Sequence, residues 1–361
     1  MKYKTFAFSA LALAASSMTF AQSSSGSSQV TLYGVVDANV QVLDGASTQT
    51  RVQSGGLNGS RFGIRGTEDL GGGLRAFFTL ESGVNLDDGT NGQGAFWGRQ
   101  AFVGLATPYG KVSLGRQYGS IYALTSDFSQ FSNNSFGAST NVIGGFGGYE
   151  PVRGSSNTAT GNGGPARVNN SVKFESQNYD GFSAGALYGA GEVAGGTTDN
   201  RIADIYGRYT KNGFDAMLSL VDDKADVIGQ NIRTVSAAAA YDMGSYRFNG
   251  GVMQINDRSS ADRDGTGYWL GASYRLGSHL LKTQYVQSKN DGRLADGKTQ
   301  AFGVGYQYDL SKRTALYSSL TQFKNDGVGY ANRAAGSLSS GLTSASDRDL
   351  TEVVAGIRHS F

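Results

Sequence analysis

The sequence predicts an all-β protein, a sixteen-stranded antiparallel transmembrane β-barrel. Three observations support this fold class. The 361 residues include 54 glycines, 19 phenylalanines and 19 tyrosines but 3 prolines and no cysteine, a composition rich in strand and turn formers. After Ser28 the chain divides into segments of about 9 to 12 residues with alternating apolar and polar character. The connections between these segments alternate between short and long along the whole chain.

Sixteen strands and fifteen connections follow from this alternation. The predicted strands cover residues 30–42, 60–68, 74–85, 95–106, 111–118, 167–177, 181–191, 202–211, 213–222, 233–242, 246–256, 266–276, 280–289, 298–309, 313–324 and 350–361. The seven short connections are EDLGGG, TPYG, QNYDG, KNG, DMGS, LGSH and DLSKR. The eight long connections cover residues 43–59, 86–94, 119–166, 192–201, 223–232, 257–265, 290–297 and 325–349. Short turns at one end and long loops at the other are typical of outer-membrane barrels, in which an even strand number places both termini in the periplasm.

Each predicted strand has one apolar face and one face of polar or very small residues. In the first strand, Val30, Leu32 and Val36 share one face, whereas Asp37 and Asn39 lie on the other. A sheet that crosses lipid can leave no backbone group unpaired, so it must close on itself. We therefore expect the apolar face to contact lipid and the polar face to line an enclosed lumen.

Residues 1–21 are predicted to be a secretory signal peptide, and residues 22–361 a single barrel domain. Lys2 and Lys4 precede the apolar run FAFSALALAA, and a small-residue cleavage site ends at Ala21. This run is about half the roughly 20 residues that a spanning helix needs. Removing the leader takes away two of the 31 basic side chains and none of the 29 acidic ones, so the mature chain is formally neutral. A neutral chain gives no reason to expect nucleic acid as a partner.

Six stretches of the chain, in order, are similar to the elements of one known family. They are VTLYGVVDANV, SRFGIRGTEDLGGGLRAFFTLESG, GRQAFVGLATPYGKVSLGRQYG, ARVNNSVKFESQNYDGFSAGALY, YDLSKRTALY and GIRHSF. In these residues the chain resembles the Gram-negative trimeric general porins, in the branch with a neisserial-type pattern, over essentially its whole mature length. The resemblance implies a homotrimer in the outer membrane and a third external loop, residues 119–166, that folds into the lumen and narrows it.

The expected partners follow from the same setting. The last strand ends on Phe361, and a terminal strand closing on an aromatic residue is what the barrel-assembly machinery recognises. Outer-membrane lipid and lipopolysaccharide would surround the barrel. Loop 86–94 is expected to reach a neighbouring copy, with the first and last strands as the contact face of the trimer. No cofactor and no metal are expected.

Several charged residues have the parity of the lumen face. Arg61 and Arg65 alternate with Phe62 and Ile64, and an arginine facing lipid would cost roughly 2 to 4 kcal/mol at mid-membrane. The general lumen charges expected in this way are Arg65, Arg75, Asp37, Glu81, Lys173, Glu175 and Arg208. Arg116 conflicts with the pattern because it shares parity with lipid-facing residues. We expect the strand to bulge there or to have left the hydrocarbon.

The resemblance implies a pore constriction lined by Arg61, Arg99 and Arg167. Asp127 and Glu150 are the only acids in residues 119–166, and at least one is expected to face these arginines. Arginine keeps its proton at any accessible pH, so a wall of arginines carries a permanent positive charge. Opposed charges across a water-filled gap would create a transverse field that orients dipolar solutes.

The expected function is passive diffusion of ions and small hydrophilic solutes, with a mild preference for anions. The alternative is an outer-membrane receptor or adhesin barrel whose function lies in external loops such as 43–59 and 325–349, which are rich in Ser, Gly, Thr and Asn. An enzyme is not expected. The chain has two histidines, His279 and His359, and neither lies in a motif with a candidate serine.

Overall fold

The computed structural model describes residues 28–45, 47–132, 137–138, 140–143, 166–191, 201–225, 230–258, 264–292, 295–327 and 349–361. The predicted signal peptide, residues 1–21, lies outside the described residues. Within the described ranges, strands joined in one antiparallel sheet account for most of the chain. In the same ranges, no helix is long and apolar enough to cross a membrane.

The described residues form seventeen strands, one α-helix and one 3-10 helix. The strands are β1 (Gln29–Asp44), β2 (Thr48–Ser54), β3 (Arg61–Gly71), β4 (Leu74–Gly83), β5 (Gln100–Thr107), β6 (Gly110–Tyr118), β7 (Arg167–Ser176), β8 (Phe182–Gly189), β9 (Ile202–Lys211), β10 (Phe214–Ala225), β11 (Gln230–Met243), β12 (Tyr246–Asp257), β13 (Gly265–Leu276), β14 (His279–Gly292), β15 (Ala295–Asp309), β16 (Thr314–Gly327) and β17 (Leu350–Ser360). The α-helix α1 covers Ser120–Asp127, and the 3-10 helix covers Thr140–Ile143.

Seventeen strands occupy sixteen positions around the barrel, because β2 and β3 share one position. The first half of β1 pairs with β3, from Gln29 opposite Thr67 to Val35 opposite Arg61. The second half pairs with β2, from Ala38 opposite Ser54 onward. The last strand, β17, pairs with the other edge of β1 and closes the ring. The predicted sixteen-stranded closed antiparallel barrel is confirmed.

Two predicted boundaries are wrong. The long loop predicted over 43–59 contains β2, which pairs with the second half of β1 from Asp44 opposite Thr48. Periodicity does not identify β2, because its residues are mainly Thr, Gln and Ser and lack the apolar alternation that contact with lipid imposes. The strand predicted from residue 95 begins at Gln100 instead. The preceding residues form a turn in which the Gly98 N–H donates to the Ala95 carbonyl oxygen. In this turn the rings of Phe96 and Trp97 contact the ring of Phe62.

The alternation of faces agrees with the predicted lipid and lumen sides. In β1, Val30 and Leu32 are more than 60% exposed, whereas Asp37, Asn39 and Gln41 are buried. The same alternation occurs in β15. Its even-numbered residues Phe302, Val304, Tyr306 and Tyr308 are exposed, whereas the odd-numbered Ala301 and Gln307 are buried. The barrel therefore has an apolar outer surface and a polar or small inner surface, as a sheet closed in lipid requires.

The pairing of β6 with β7 is irregular beside Arg116, the position where the sequence predicts either a bulge or a strand outside the hydrocarbon. Gly115 pairs with Ser171, but Gln117 pairs with Val168, so the register between β6 and β7 shifts by one residue. The extra residue lies on β7, where Asn170 has φ 49°, a conformation that asparagine tolerates. The Arg116 side chain donates from Nε to the Gly98 carbonyl oxygen at 2.7 Å and also bonds the Asn169 side chain. The guanidinium is thereby satisfied by polar groups.

The carboxyl terminus closes the barrel against a glycine. The Gly34 N–H donates to the Phe361 carbonyl oxygen at 3.1 Å, and the Phe361 N–H donates to the Gly34 carbonyl oxygen at 3.0 Å. The Phe361 ring lies over Gly34, where an added Cβ would stand 2.3 Å from the ring Cζ and 2.8 Å from the Arg61 carbonyl oxygen. The absence of a side chain at Gly34 thus creates the space that the terminal ring fills.

Gly34→Ala is expected to lower the free energy of unfolding of the barrel by about 2 kcal/mol, because the new methyl overpacks the seam between β1 and the terminal ring. Urea titration in detergent micelles, read as the shift from folded to unfolded gel mobility, measures the effect. Gly207→Ala is the matched control, since an added Cβ on this outward-facing glycine of β9 meets nothing within 4 Å. Equal losses in the two variants would contradict the role given to the Gly34 space.

Candidate pore constriction

The described residues that follow β6 run along the inner wall of the barrel. We call these residues, 119–132, 137–138 and 140–143, the inner segment. Helix α1 has no side-chain cap of its own, because Gly119 stands at its N-cap. Asp204 on β9 takes that role: its Oδ2 accepts from the Ser120 N–H at 2.6 Å, and it satisfies one of the free N–H groups of the first turn.

The inner segment buries its apolar side chains against inward-facing residues of the wall. Ile121, Leu124 and Phe128 have no exposed surface and belong to one apolar cluster with Met253 and Trp269. Both wall residues have the parity opposite to lipid-facing neighbours such as Val252 and Leu270. The segment therefore packs on the lumen side of the wall, and this burial supplies the hydrophobic part of its attachment.

Polar side chains of the wall bond the backbone of the same segment. The Phe128 carbonyl oxygen accepts from Asn249 Nδ2 at 2.7 Å and from Trp269 Nε1. The Gln130 N–H donates to Gln284 Oε1 at 2.7 Å. Farther along, the Gly137 N–H donates to Glu352 Oε1 at 2.8 Å. An irregular backbone inside a barrel needs such partners, because each buried group left unpaired is costly.

Arg99 and Glu81 form a buried ion pair on the wall near α1. Arg99 Nε lies 2.9 Å from Glu81 Oε1, and each side chain is 5% exposed. The hydroxyls of Tyr33 and Tyr118 both donate to the same carboxylate at 3.0 Å. Glu81 is therefore held by a guanidinium and two phenols, which offset the cost of placing its charge there.

Arg167 and Arg61 complete the cluster around two stacked tyrosines. The rings of Tyr118 and Tyr122 lie 3.6 Å apart, centroid to centroid, and the Arg167 guanidinium is 5.2 Å from the Tyr118 ring centroid. Arg61 donates from Nε to the Gly59 carbonyl oxygen at 2.9 Å and acts electrostatically on both Glu81 and Tyr122. We call Arg61, Arg99 and Arg167 the arginine cluster.

The charge of the arginine cluster acts on its aromatic neighbour. Burial alone would raise the pKa of the Tyr122 phenol, but Arg99 and Arg61 lower that pKa below its ordinary value. Among the described residues, Glu81 is the one carboxylate that forms an ion pair with a member of the cluster. Three guanidinium groups against one carboxylate leave an excess of positive charge on this part of the wall.

The two loop acids do not meet this cluster in the described part of the chain. Asp127 Oδ2 lies 2.8 Å from Arg208 Nη1, and Arg208 also makes a two-pronged contact with Asp215. The Asp127 side chain is therefore attached to the wall through Arg208 on β9. Glu150 lies outside the described residues.

The general lumen charges differ in their surroundings. Asp37 is not a wetted charge: it is fully buried and accepts from the N–H groups of residues 56–58 at 2.8 to 3.0 Å. Lys173 lies 3.2 Å from Glu175, which also pairs with Lys111 at 2.9 Å. Arg65 lies 4.9 Å from the Tyr33 ring centroid, and Arg75 is exposed near the turn between β3 and β4.

Sequence reasoning missed the three tyrosines of this site. Tyr33 has the lumen parity of β1, and that parity was a usable indication. Tyr118 is the last residue of β6 and has the parity of the exposed Leu114, so parity assigns it to the wrong face. Tyr122 depends on the path of α1. Within the described ranges, no group of three or more His, Asp or Glu side chains is arranged to hold a metal ion.

Comparisons with known proteins agree with this architecture. Residues 7–328 match a family model described as Gram-negative porin. Outer membrane porin protein 32 of Delftia acidovorans is 34% identical, over 97% of each chain. Major outer membrane protein P.IB of Neisseria meningitidis is 26% identical, over 80% of this chain and 86% of its own.

A solved structure gives the same result. An anion-selective porin from Comamonas acidovorans superimposes with a TM-score of 0.76 at 28% identity, over 93% of this chain and 100% of its own. The closed sheet, the match to the family model over most of the chain and the relative above 30% identity lead to one conclusion: the chain belongs to the Gram-negative porin family and forms a diffusion channel of the outer membrane.

Proposed function

We propose that this channel passes ions and small hydrophilic solutes with a mild preference for anions, and that its narrowest part is bounded by the arginine cluster. The observation that carries the proposal is the convergence of Arg61, Arg99 and Arg167 about Tyr118 and Tyr122, with Glu81 as their paired acid. The Comamonas acidovorans structure, described as an anion-selective porin, supports the same sign.

The proposed mechanism needs no covalent step. Solutes diffuse through water between the wall and the inner segment, and the width and charge of that path decide what passes. Narrowing by the whole of residues 119–166 is part of the proposal, and it is supported by the packing of Ile121, Leu124 and Phe128 on the inner wall. Because arginine stays protonated, the excess positive charge persists at all accessible pH values. It raises the local anion concentration and lowers that of cations.

The assembly and setting of the channel are inferred in the same way. We propose a homotrimer that contacts through the outward faces of the first strands and β17, with Phe96 and Trp97 near that face. Both described ends of the chain lie at the short-turn end of the barrel, where Phe361 pairs with Gly34. This supports periplasmic termini and long loops outside. We likewise propose that the barrel-assembly machinery recognises β17. Contact of the barrel with lipopolysaccharide is also part of the proposal.

Planar-bilayer recording of the purified protein tests the function. A porin trimer is expected to give large stepwise currents that appear in threes, and an anion-selective pore gives a nonzero reversal potential of anionic sign across a salt gradient. Protein that inserts but stays silent would favour a receptor or adhesin barrel. A cation-selective potential would contradict the proposed sign while leaving the channel function intact.

We also infer that the chain is not an enzyme. His279 Nδ1 lies 2.7 Å from the Tyr306 hydroxyl, and His359 Nδ1 lies 2.9 Å from Thr314 Oγ1. Among the described residues, neither ring lies between a serine and a carboxylate, which is the arrangement that a Ser-His-acid site requires.

A further inference from the structure

The chain between β2 and β3 folds toward the lumen. Its residues 55–60, here called the inward turn, are held by Asp37, an inward-facing residue of β1. The Asp37 carboxylate accepts from the N–H groups of residues 56–58 at 2.8 to 3.0 Å and from the Tyr317 hydroxyl. Ser60 Oγ accepts from the Asp37 N–H at 3.0 Å and donates to the Asp37 carbonyl oxygen at 2.9 Å. Hydrogen bonds to a carboxylate are stronger than neutral ones, so Asp37 fixes the backbone of the turn.

The inward turn packs on inward-facing residues of β16 and β17. Leu57 contacts Tyr317 and Val354, which are both buried. The adjacent Leu316 and Val353 are exposed on the lipid side. The turn therefore lies inside the barrel and not on its rim, and the apolar contacts of Leu57 add to its attachment.

The inward turn and α1 both reach Arg99. An added Cβ at Gly59 would stand 3.2 Å from Arg99 Nη1, whereas Arg99 Nη2 donates to the Tyr122 hydroxyl of α1 at 3.4 Å. The Gly59 carbonyl oxygen also accepts from Arg61 Nε at 2.9 Å. Two members of the arginine cluster therefore contact the turn, at a residue whose missing side chain leaves room for them.

A further arginine, Arg358 on β17, is bound to the same turn. Asn58 Oδ1 accepts from Arg358 Nη1 at 3.1 Å. Arg358 faces inward, because the adjacent Ile357 is exposed on the lipid side. Its Nε is buried without a hydrogen-bond partner in the described part of the chain, and none of the ion pairs there includes Arg358. Its permanent charge is therefore not neutralised by a paired acid among these residues.

We propose that the inward turn is a second lining element of the pore constriction, that it holds Arg358 there as a fourth positive charge, and that Asp37 is its positioning residue. Arg61 and Arg358 lie on the two strands that flank β1, opposite Val35 and Asp37. An anionic solute that reaches the arginine cluster therefore meets Arg358 beside Arg61. The inference rests on the proposed anion preference and adds to it a lining segment and a selectivity residue.

A single introduced thiol tests whether the turn lines the pore, because the chain has no cysteine of its own. N58C in the full-length channel is treated with an anionic methanethiosulfonate reagent during planar-bilayer recording. The conductance is expected to fall by about half or more, because the attached group adds bulk and negative charge to the narrowest path. S245C is the control, since Ser245 is exposed in the short turn between β11 and β12. A fully modified N58C channel with an unchanged current would overturn the proposal.

The contribution of Arg358 to selectivity is tested by R358Q. It is expected to lower the anion-to-cation permeability ratio by about two- to fivefold, the effect of one unit charge within several ångströms of the passing ion. R75Q is the matched control: Arg75 is a lumen arginine exposed near the turn between β3 and β4, beyond a Debye length of about 8 Å from the cluster. Equal shifts in R358Q and R75Q would overturn the role given to Arg358.

The sign of the shift in D37N tests the positioning role of Asp37. Neutralising an ordinary lumen acid would raise the anion-to-cation permeability ratio. D37N is expected to lower it instead, because the amide nitrogen opposes the N–H groups of residues 56–58 and releases the turn that holds Arg358. Y317F keeps the charge of Asp37 and removes one of its bonds, so a smaller fall is expected, and this variant decides the matter if D37N does not fold.

A rise of the ratio in D37N, or an unchanged ratio in both D37N and Y317F, would overturn the positioning role. Failure of the proposed function is distinguishable from failure of this inference. Wild-type channels that conduct but prefer cations would contradict the proposed anion preference, whereas the current of modified N58C would still decide whether the inward turn lines the pore.

Discussion

Replacing Arg61, Arg99 and Arg167 together with glutamine is expected to reverse the sign of the reversal potential across a potassium chloride gradient. The triple variant removes three permanent positive charges and leaves Glu81, so this part of the wall changes from a positive excess to a negative one. One unit charge about 4 Å from an ion changes its free energy by about 1 kcal/mol in water. A loss of that size or more in anion stabilisation corresponds to a fall of about fivefold or greater in the anion-to-cation permeability ratio.

Two control variants make this result specific to the arginine cluster. R65Q/R75Q/R275Q removes the same charge from lumen arginines nearer the short turns, where Arg275 is paired with Asp309 at 2.7 Å. Screening over about 8 Å at physiological salt should limit its effect on the potential. E81Q/R99Q removes one charge of each sign and is expected to leave the potential near that of wild type. A shift from R65Q/R75Q/R275Q as large as that from the cluster variant would mean that selectivity is a property of the whole lumen.

The fold was largely predictable from sequence because lipid imposes a simple rule on each strand. Val30 and Leu32 must face outward and Asp37 inward, and this alternation recurs wherever the barrel crosses the apolar band. The rule fails where the constraint ends. β2 extends beyond that band, so Thr48–Ser54 has the composition of a loop although it forms a regular strand. The parity of Arg116 conflicts with the rule, and the register between β6 and β7 shifts beside it.

The candidate site was predictable in part, because some of its contacts join residues that are far apart in the sequence. The resemblance to porins indicated Arg61, Arg99 and Arg167, and the structure brings these residues together. No local pattern indicates that Asp37 is buried, because its partners are a backbone turn at residues 56–58 and the hydroxyl of Tyr317 on β16. The pairing of Asp127 with Arg208 is equally non-local, since it depends on where α1 crosses the inner wall. Long-range contacts of this kind follow from the path of the inner segment, which parity does not determine.

The inner segment should behave as a fixed part of the pore only while the wall bonds its backbone. Asn249 and Gln284 supply much of that attachment: Asn249 bonds the Phe128 carbonyl oxygen and the Gln130 side chain, at 2.7 and 2.6 Å. Gln284 accepts from the Gln130 N–H and donates to the Ala138 carbonyl oxygen. Replacing both with alanine leaves several buried backbone and side-chain groups unpaired, at about 1 to 3 kcal/mol each.

N249A/Q284A is therefore expected to convert a quiet open channel into one that fluctuates among several conductance levels, with the variance of the open-state current rising several-fold. Thr299→Ala is the matched control, because Thr299 is a buried inward residue whose hydroxyl bonds Asn325 on the neighbouring strand and not the inner segment. Its current should stay quiet. Single-channel recording at fixed voltage decides the matter, with gel mobility establishing that each barrel is folded. A folded N249A/Q284A trimer with a wild-type current trace would mean that apolar packing of Ile121, Leu124 and Phe128 is sufficient to hold the segment, and that these polar bonds serve only to satisfy its backbone.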